Sequence, residues 1–483
     1  MSAESLRDPR LLAQQAAGGA GPLLTEGRSE PADSVAALCA DFSEVCASAV
    51  DPLEIASALE FDGLSDQAVA DRYGLPDVFA LAQEMFQRVP RQPAEPEPLS
   101  DPWHTSRLRP ALHGLLYGLP AICFPAAAGL LGGPGVLPTL VAALLVAWGL
   151  SQGLAYLGYR RLGMADTGQT RRVLRAGLVA GLAVVAAAMA AAAMLLHARA
   201  DVVIFGAGEG AYMLGACVLM VLGADRWLLV ALAPGVLGSA AFLLLGRPAG
   251  QEHLVWAALA ATPLLALALA VACSRPRSPR AGRVLTGTEL LSALPAIAFG
   301  LLAAGLLIFP VAAGVHGHGG INVGALLAAL PLSLSMGAAE WSLLWYRRRM
   351  RRLVRATGEL RDFGVRARRV LLAAVGQYLA GTLALTAATI WIVLAARLIP
   401  LRGPVPAEVA AYLALGCAMF LALLLQALGA RAFALAAAAV ALAFEIGYRD
   451  YGVPAQLAAC CGLLIALGIY ASRELSRAVR HGY

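Results

Sequence analysis

No lysine occurs anywhere in the 483 residues, and all 37 basic residues are arginine. Together with the excess of alanine, this points to a GC-rich bacterial genome and not to a mechanism. Charge of either sign is scarce, at 14% of the chain against 59% apolar residues. A soluble chain of that composition could not cover its own surface with polar groups, so an ordinary cytoplasmic enzyme is excluded. The eight cysteines are scattered and the 50 glycines follow no period, which excludes a disulfide scaffold and a collagen. No phosphate-binding Walker motif or nucleophile elbow appears. No signal peptide is expected either, because the stretch from Leu11 to Leu24 is interrupted by Gln14, Gln15 and glycines.

What the chain does contain is repeated runs of about 20 apolar residues, each enough to cross a hydrocarbon core roughly 30 Å thick. Twelve are legible: about 111–132, 135–158, 174–197, 201–223, 227–246, 253–273, 289–314, 322–346, 370–397, 406–428, 431–448 and 453–471. The net charge of +6 divides unevenly along this map. Residues 1–101 carry 18 acidic and six basic groups, a net of −12, which leaves +18 for the remainder. Beyond residue 101, 26 arginines fall on one side of the twelve spans and five on the other. The positive-inside rule then places both termini in the cytoplasm, with the chain in the cytoplasmic membrane.

Four short matches recur in the same order at equivalent positions. Leu119-Pro120-Ala121-Ile122 returns at Leu294-Pro295-Ala296-Ile297, and Tyr159-Arg160-Arg161 at Tyr346-Arg347-Arg348. Arg171-Arg172-Val173-Leu174 returns at Arg368-Arg369-Val370-Leu371, and Leu222-Gly223-Ala224 at Leu428-Gly429-Ala430. Their order predicts duplication of a six-span unit, with the two units running in the same sense through the membrane. The expected fold is therefore all-α: twelve transmembrane helices in two tandem six-helix halves, 107–273 and 289–471, plus a small helical cytoplasmic module at 51–90. A flexible or partly helical acidic region at 1–50, a proline-rich tether at 91–106, a basic linker at 274–288 and a basic tail at 472–483 complete the expected order.

Few ionisable groups fall inside the spans, so each can be weighed. Glu209 lies eight residues past Asp201, about 12 Å along the helix, between Gly206, Gly208 and Gly210. Three glycines around one acid predict either a locally unwound segment that shows charge to a cargo, or a close-packed glycine face. Glu340 sits near the cytoplasmic end of the eighth span, where it reads equally as a gate residue or a helix anchor. Gly153 is its counterpart in the first half, beside Gln152. Gln377 with Thr382, Thr386 and Thr389 forms a polar stripe that lines a wet cavity or joins helices. Glu445 is expected to pair with Arg449 one turn away. His316 and His318 in a glycine-rich loop lack further ligands, so no metal is expected, and no cofactor. Cys460, Cys461, Cys39 and Cys46 are expected to be free. In the 51–90 module, helix starts are expected at Pro52, after Ser65 and after Asp77. With hardly a basic residue there, a helical interaction module is expected and nucleic-acid binding is not.

The span pattern, Pro120 and Pro295 in the first helix of each half, and the long basic connections after spans 2 and 8 resemble the multidrug/oligosaccharidyl-lipid/polysaccharide exporter superfamily, its polysaccharide flippases in particular. The resemblance covers 111–471 and rests on topology. It implies a V-shaped lumen between two bundles, alternating access, and outward movement of a polysaccharide or lipid-linked glycan. Glu209, Gln152, Glu340 and Gln377 would line the path. Membrane lipids, the glycan and cytoplasmic glycosyltransferase machinery reached through residues 1–101 would be its partners. The acid that drug-extruding members carry in their first helix is absent. Gly163-Met164-Ala165-Asp166 followed by Arg171-Arg172 resembles the major facilitator superfamily with stretched spacing, which would imply a small-molecule efflux carrier. A non-transporting scaffold or regulator working through its acidic domain is the third reading. The outer loops are too short for an external catalytic domain, so an enzyme is not expected.

Overall fold

A computed structural model describes residues 31–90, 108–128, 130–132, 135–164, 166–248, 250–275, 286–318, 331–356, 360–395 and 405–475. All regular structure among them is helical. The chain divides into two compact units, Met1–His104 and Thr105–Tyr483.

In the first unit, five helices are set by local chemistry: α1 (Pro31–Asp41), α2 (Ser43–Ser48), α3 (Pro52–Phe61), α4 (Asp66–Tyr73) and α5 (Val78–Arg88). Side-chain oxygens of Asp51, Ser65 and Asp77 accept from the amides of Leu53, Ala68 and Ala80, satisfying donors that a helix start leaves open. Gly74, at φ +70°, closes α4 in the left-handed region. Asp66 then accepts from Val78 N at 2.9 Å and ties α4 to α5. Ile55, Leu59, Val69, Leu81 and Met85 form the core together with Val35, Leu38 and Cys46. The expected module at 51–90 is therefore too short. Residues 31–49, expected to belong to a flexible or partly helical acidic region, supply two helices whose apolar faces complete that core.

The second unit holds α6 (Leu108–Gly118), a 3₁₀ turn (Leu119–Ile122), α7 (Cys123–Ala128), α8 (Val136–Gly163), α9 (Thr167–Leu195), α10 (Ala200–Val221), α11 (Asp225–Leu244) and α12 (Glu252–Cys273). There follow α13 (Gly287–His318), α14 (Met336–Ala356), α15 (Leu360–Ala395), α16 (Val405–Ala427), α17 (Arg431–Gly447) and α18 (Val453–Glu474). Ten helical stretches among the described residues are long and apolar enough to cross a membrane, and the chain is a multi-pass membrane protein. Twelve were expected. The expected eighth span is described only in part, since 319–330 lie outside the described residues and α14 runs directly into arginines from Arg347 onward. The expected eleventh is α17, whose 17 residues reach about 25 Å, short of a hydrocarbon core of roughly 30 Å. Pro120, which cannot donate to a helix ladder, coincides with the 3₁₀ break in the first stretch.

Two apolar clusters organise this unit. Leu174, Leu178, Leu214, Leu219 and Leu228 belong to one, and Tyr346, Tyr378, Tyr412, Phe420 and Leu463 to the other. Neighbour relations recur between them: α8 packs on α9, α10 on α12 and α11 on α12, as α14 packs on α15, α16 on α18 and α17 on α18. Across the two clusters, α8 crosses α13 and α6 crosses α14. Small residues bring these crossings close. Gly149 and Gly153 meet Leu301 and Ile297, Gly300 meets Gln152, and Gly114 meets Gly337.

Candidate functional site

The ends of α6, α8, α11, α13 and α14 that gather at the arginine-rich end carry a set of ionisable groups. Their placement begins with a turn. After α10, Gly223 adopts φ +66°, and Ala224 N donates to Leu219 O at 2.8 Å, a glycine-closed helix end that turns the chain straight into α11. Asp225 becomes the first residue of α11, where a carboxylate is favoured by the unpaired amides of the helix start.

Asp225 faces His113 of α6, whose Nε2 lies 3.1 Å from Asp225 Oδ2. The other ring nitrogen, Nδ1, lies 2.5 Å from Glu340 Oε2 on α14. Arg109, one turn before His113, places Nε 3.5 Å from the same Asp225 oxygen. His113 and Asp225 are largely buried, with side chains 12% and 11% exposed, whereas Glu340 is 30% exposed. A neutral imidazole has one donor; it can donate to both carboxylates only as the imidazolium. The cluster thus links α14 to α6 and α11 through one histidine.

A second cluster links α8 to α13 and α17. Thr286 and Glu289 form a capping box at the start of α13: Glu289 Oε2 accepts from Thr286 N at 3.0 Å and Glu289 N donates to Thr286 Oγ1 at 3.4 Å. This leaves Glu289 Oε1 to pair with Arg161 of α8. Arg160 Nη1 donates to Ser292 Oγ at 3.1 Å. Arg431, the first residue of α17, stands 4.6 Å over the ring of Tyr156. Its approach repeats that of Asp225, because Gly429 has φ +82° and Ala430 N donates to Leu425 O at 2.8 Å. The same turn therefore delivers an acid at Asp225 and a base at Arg431.

Comparison with known proteins adds little beyond this geometry. No known protein family and no curated protein matches the chain. Among solved structures it is similar to a MATE transporter of Vibrio cholerae in its bent form, at 16% identity and a TM-score of 0.46, covering 77% of this chain and 95% of that one. It is also similar to the inward-facing conformation of a multidrug resistance MATE family transporter of the MOP superfamily, at 15% identity and a TM-score of 0.40, covering 77% and 96%.

Of the residues singled out in the sequence, Glu340 alone lies in these clusters. Glu209 stands 12 residues before the end of α10, about 18 Å from the arginine-rich end. The unwinding considered for it does not occur, since α10 is continuous from Ala200 to Val221. The flanking glycines serve close packing instead: Gly206 meets Met189 and Ala143, Gly210 meets Val185, and Gly208 meets Pro263. Glu209 Oε2 is buried there with no hydrogen-bond partner. Gln152 packs its aliphatic stem against Gly300 at the crossing of α8 and α13. Gln377 is half-buried on α15, but the threonines beside it are satisfied within their own helix. Thr382, Thr386 and Thr389 donate to the carbonyls of Tyr378, Thr382 and Leu385 at 2.8–3.0 Å.

The expected pair of Glu445 with Arg449 does not form. Helix α17 stops at Gly447, so Arg449 leaves the helical register and pairs with Asp450 at 3.7 Å. Glu445 is 3% exposed, and neither carboxylate oxygen has a partner. His316 and His318 have side chains outside the described residues. All eight cysteines are free. His113, Asp225, Glu289 and Arg431 were not singled out in the sequence, and Arg161 was noted only within the repeated Tyr159-Arg160-Arg161 motif. The available signal was their common topological level, each within two turns of an arginine-rich helix end.

Proposed function

We propose that the chain is a membrane transporter working by alternating access, built from twelve spans in two duplicated six-helix halves, with the two clusters acting as clasps of its inner gate. The observation that carries this reading is the pair of unlike clasps at equivalent positions. One joins α6 and α11 to α14; the other joins α13 and α17 to α8. The ion-paired side chains of the clasps lie at helix ends and range from 11% to 42% exposed, so water can take over their hydrogen bonds when the contact parts and re-forms. We read this end as the cytoplasmic one, on the arginine count.

Glu209 supplies the cargo side of the reading. A carboxylate with an unpartnered buried oxygen in the middle of a span is costly unless it meets a proton, a cation or a ligand. It favours a neutral or amine-bearing cargo over a polyanion. We read that cargo as a polysaccharide or lipid-linked glycan moved outward across the bacterial cytoplasmic membrane, with Gln152 and Gln377 on the path. The same lone acid suits a small amine, which makes efflux of such a molecule the second reading. Reconstitution of the full chain in proteoliposomes separates them. The first reading expects translocation of a fluorescent lipid-linked oligosaccharide above the rate in empty vesicles, lost in Glu209→Gln. Movement of a lipophilic amine dye alone would select efflux. Movement of neither, with deletion of residues 1–100 still abolishing function in cells, would select a scaffold.

A further inference from the structure

The two clasps differ in one chemical respect. The α8 clasp is held by arginines, which stay charged at every physiological pH. The α6 clasp is held by a histidine, the side chain whose charge ordinarily changes between pH 5 and 8. Resting on the alternating-access reading, we infer that His113 is a proton-binding site that controls the inner gate: its protonated form holds Glu340 of α14 against Asp225 of α11, and loss of the proton releases the α14 side.

The charged and titratable groups around it are few among the described residues. From α11 comes Asp225, from α14 Glu340, and from its own helix Arg109 and Tyr117. Tyr159 of α8 interacts electrostatically with Arg109, Asp225, Glu340 and Tyr117, and Cys217 of α10 interacts with both tyrosines. When His113 is the imidazolium, two carboxylates share one cation and both ring nitrogens donate. When it loses a proton, one of those two bonds must go. The two acids then face each other across a neutral ring, with Arg109 close only to Asp225. Like charges so placed repel. Glu340 is the more exposed of the two acids and sits on the opposite side of the crossing, so it is the group that leaves for water.

The direction follows from linkage. Only the protonated ring can donate to both acids, so raising the pH shifts the population toward the open gate, and opening releases one proton at His113. The α8 clasp keeps its charges throughout, so pH acts on the gate through the α6 clasp alone.

The test is a distance measurement on the full chain in lipid nanodiscs. Spin labels are placed at Arg226→Cys and Arg349→Cys, both exposed and outside the clasps, in a background without the eight native cysteines. Pulsed electron paramagnetic resonance is recorded between pH 5.5 and 8.5. The expected result is one short distance at low pH and a growing longer one at high pH, with the open-to-closed ratio changing at least tenfold. His113→Arg should hold the short distance across the range, and His113→Gln should show the long one throughout. An unchanging wild-type distribution overturns the inference without any variant having to fold, as does a His113→Gln protein that titrates like the wild type. If transport is present while the distances ignore pH, the inference fails and the carrier reading stands. If the distances respond to pH while no cargo moves, the carrier reading fails.

Discussion

The crossing of α6 and α14 leaves no room for a side chain at Gly337, and alanine there should open the inner gate. A methyl group at that position would press on the carbonyl oxygen of Pro110 and lie 3.1 Å from both the Cα and the N of Gly114. These are backbone atoms, so no rotamer change gives relief. Ordinary carbon contacts fall at about 3.5–4.0 Å, so the helices must part by roughly 0.5–1 Å. Glu340 follows Gly337 by less than one turn, and His113 precedes Gly114. The same displacement stretches the 2.5 Å contact between His113 Nδ1 and Glu340 Oε2 to about 3.0–3.5 Å, the outer edge of a hydrogen bond. Overpacking of this kind costs about 1–3 kcal/mol, or about 5- to 150-fold in the closed-to-open ratio. Spin labels at Arg226→Cys and Arg349→Cys measure that ratio, with Gly376→Ala as the control, because nothing lies within 4 Å of a methyl at Gly376. A Gly337→Ala protein with the wild-type distance distribution, or a Gly376→Ala protein that shifts equally, refutes the reasoning.

Other perturbations follow from the same contacts. Glu209→Gln removes a carboxylate with an unpartnered buried oxygen, so thermal stability in detergent should be unchanged or higher while transport falls at least tenfold; a large drop in stability would assign Glu209 a packing role. Reversing the α8 clasp with Arg161→Glu should weaken the inner contact, and adding Glu289→Arg should restore transport, whereas two independently harmful substitutions would show the pair is not coupled. Burial raises the thiols of Cys39 and Cys46 above their ordinary range. Thiolate is the reactive form, so at neutral pH both should resist maleimide in the folded chain, react in urea, and gain reactivity only as the pH rises; rapid modification without denaturant would contradict the packing of that core.

Much of the helix layout was legible because apolar runs and caps are local signals. Ser65 and Asp77 marked helix starts on their own, and Gly223 and Gly429 marked two equivalent turns. The clasps were less legible because each is assembled from three helices. His113 reads as a lone histidine in an apolar span until Asp225 and Glu340 are brought to either side of it. Glu289 looks like a capping residue, which it is, until Arg161 arrives from α8. Local reading also overreached where a residue's surroundings override its neighbours in sequence. The glycines around Glu209 suggested a weak helix, yet they accommodate Met189, Val185 and Pro263 against an unbroken one. Glu445 and Arg449 have helical spacing, but the helix ends between them.

Whether the inner ends of the two halves must separate for transport can be asked directly. Cysteines at Arg160→Cys and Ser292→Cys, whose native side chains touch at 3.1 Å across α8 and α13, can be joined by a short reducible bifunctional thiosulfonate in the cysteine-free background. Transport is then followed in proteoliposomes before bridging, after bridging and after reduction. Alternating access predicts loss of transport when the bridge is complete and recovery when it is cut. Undiminished transport through a fully bridged protein would contradict the gate and the carrier built on it.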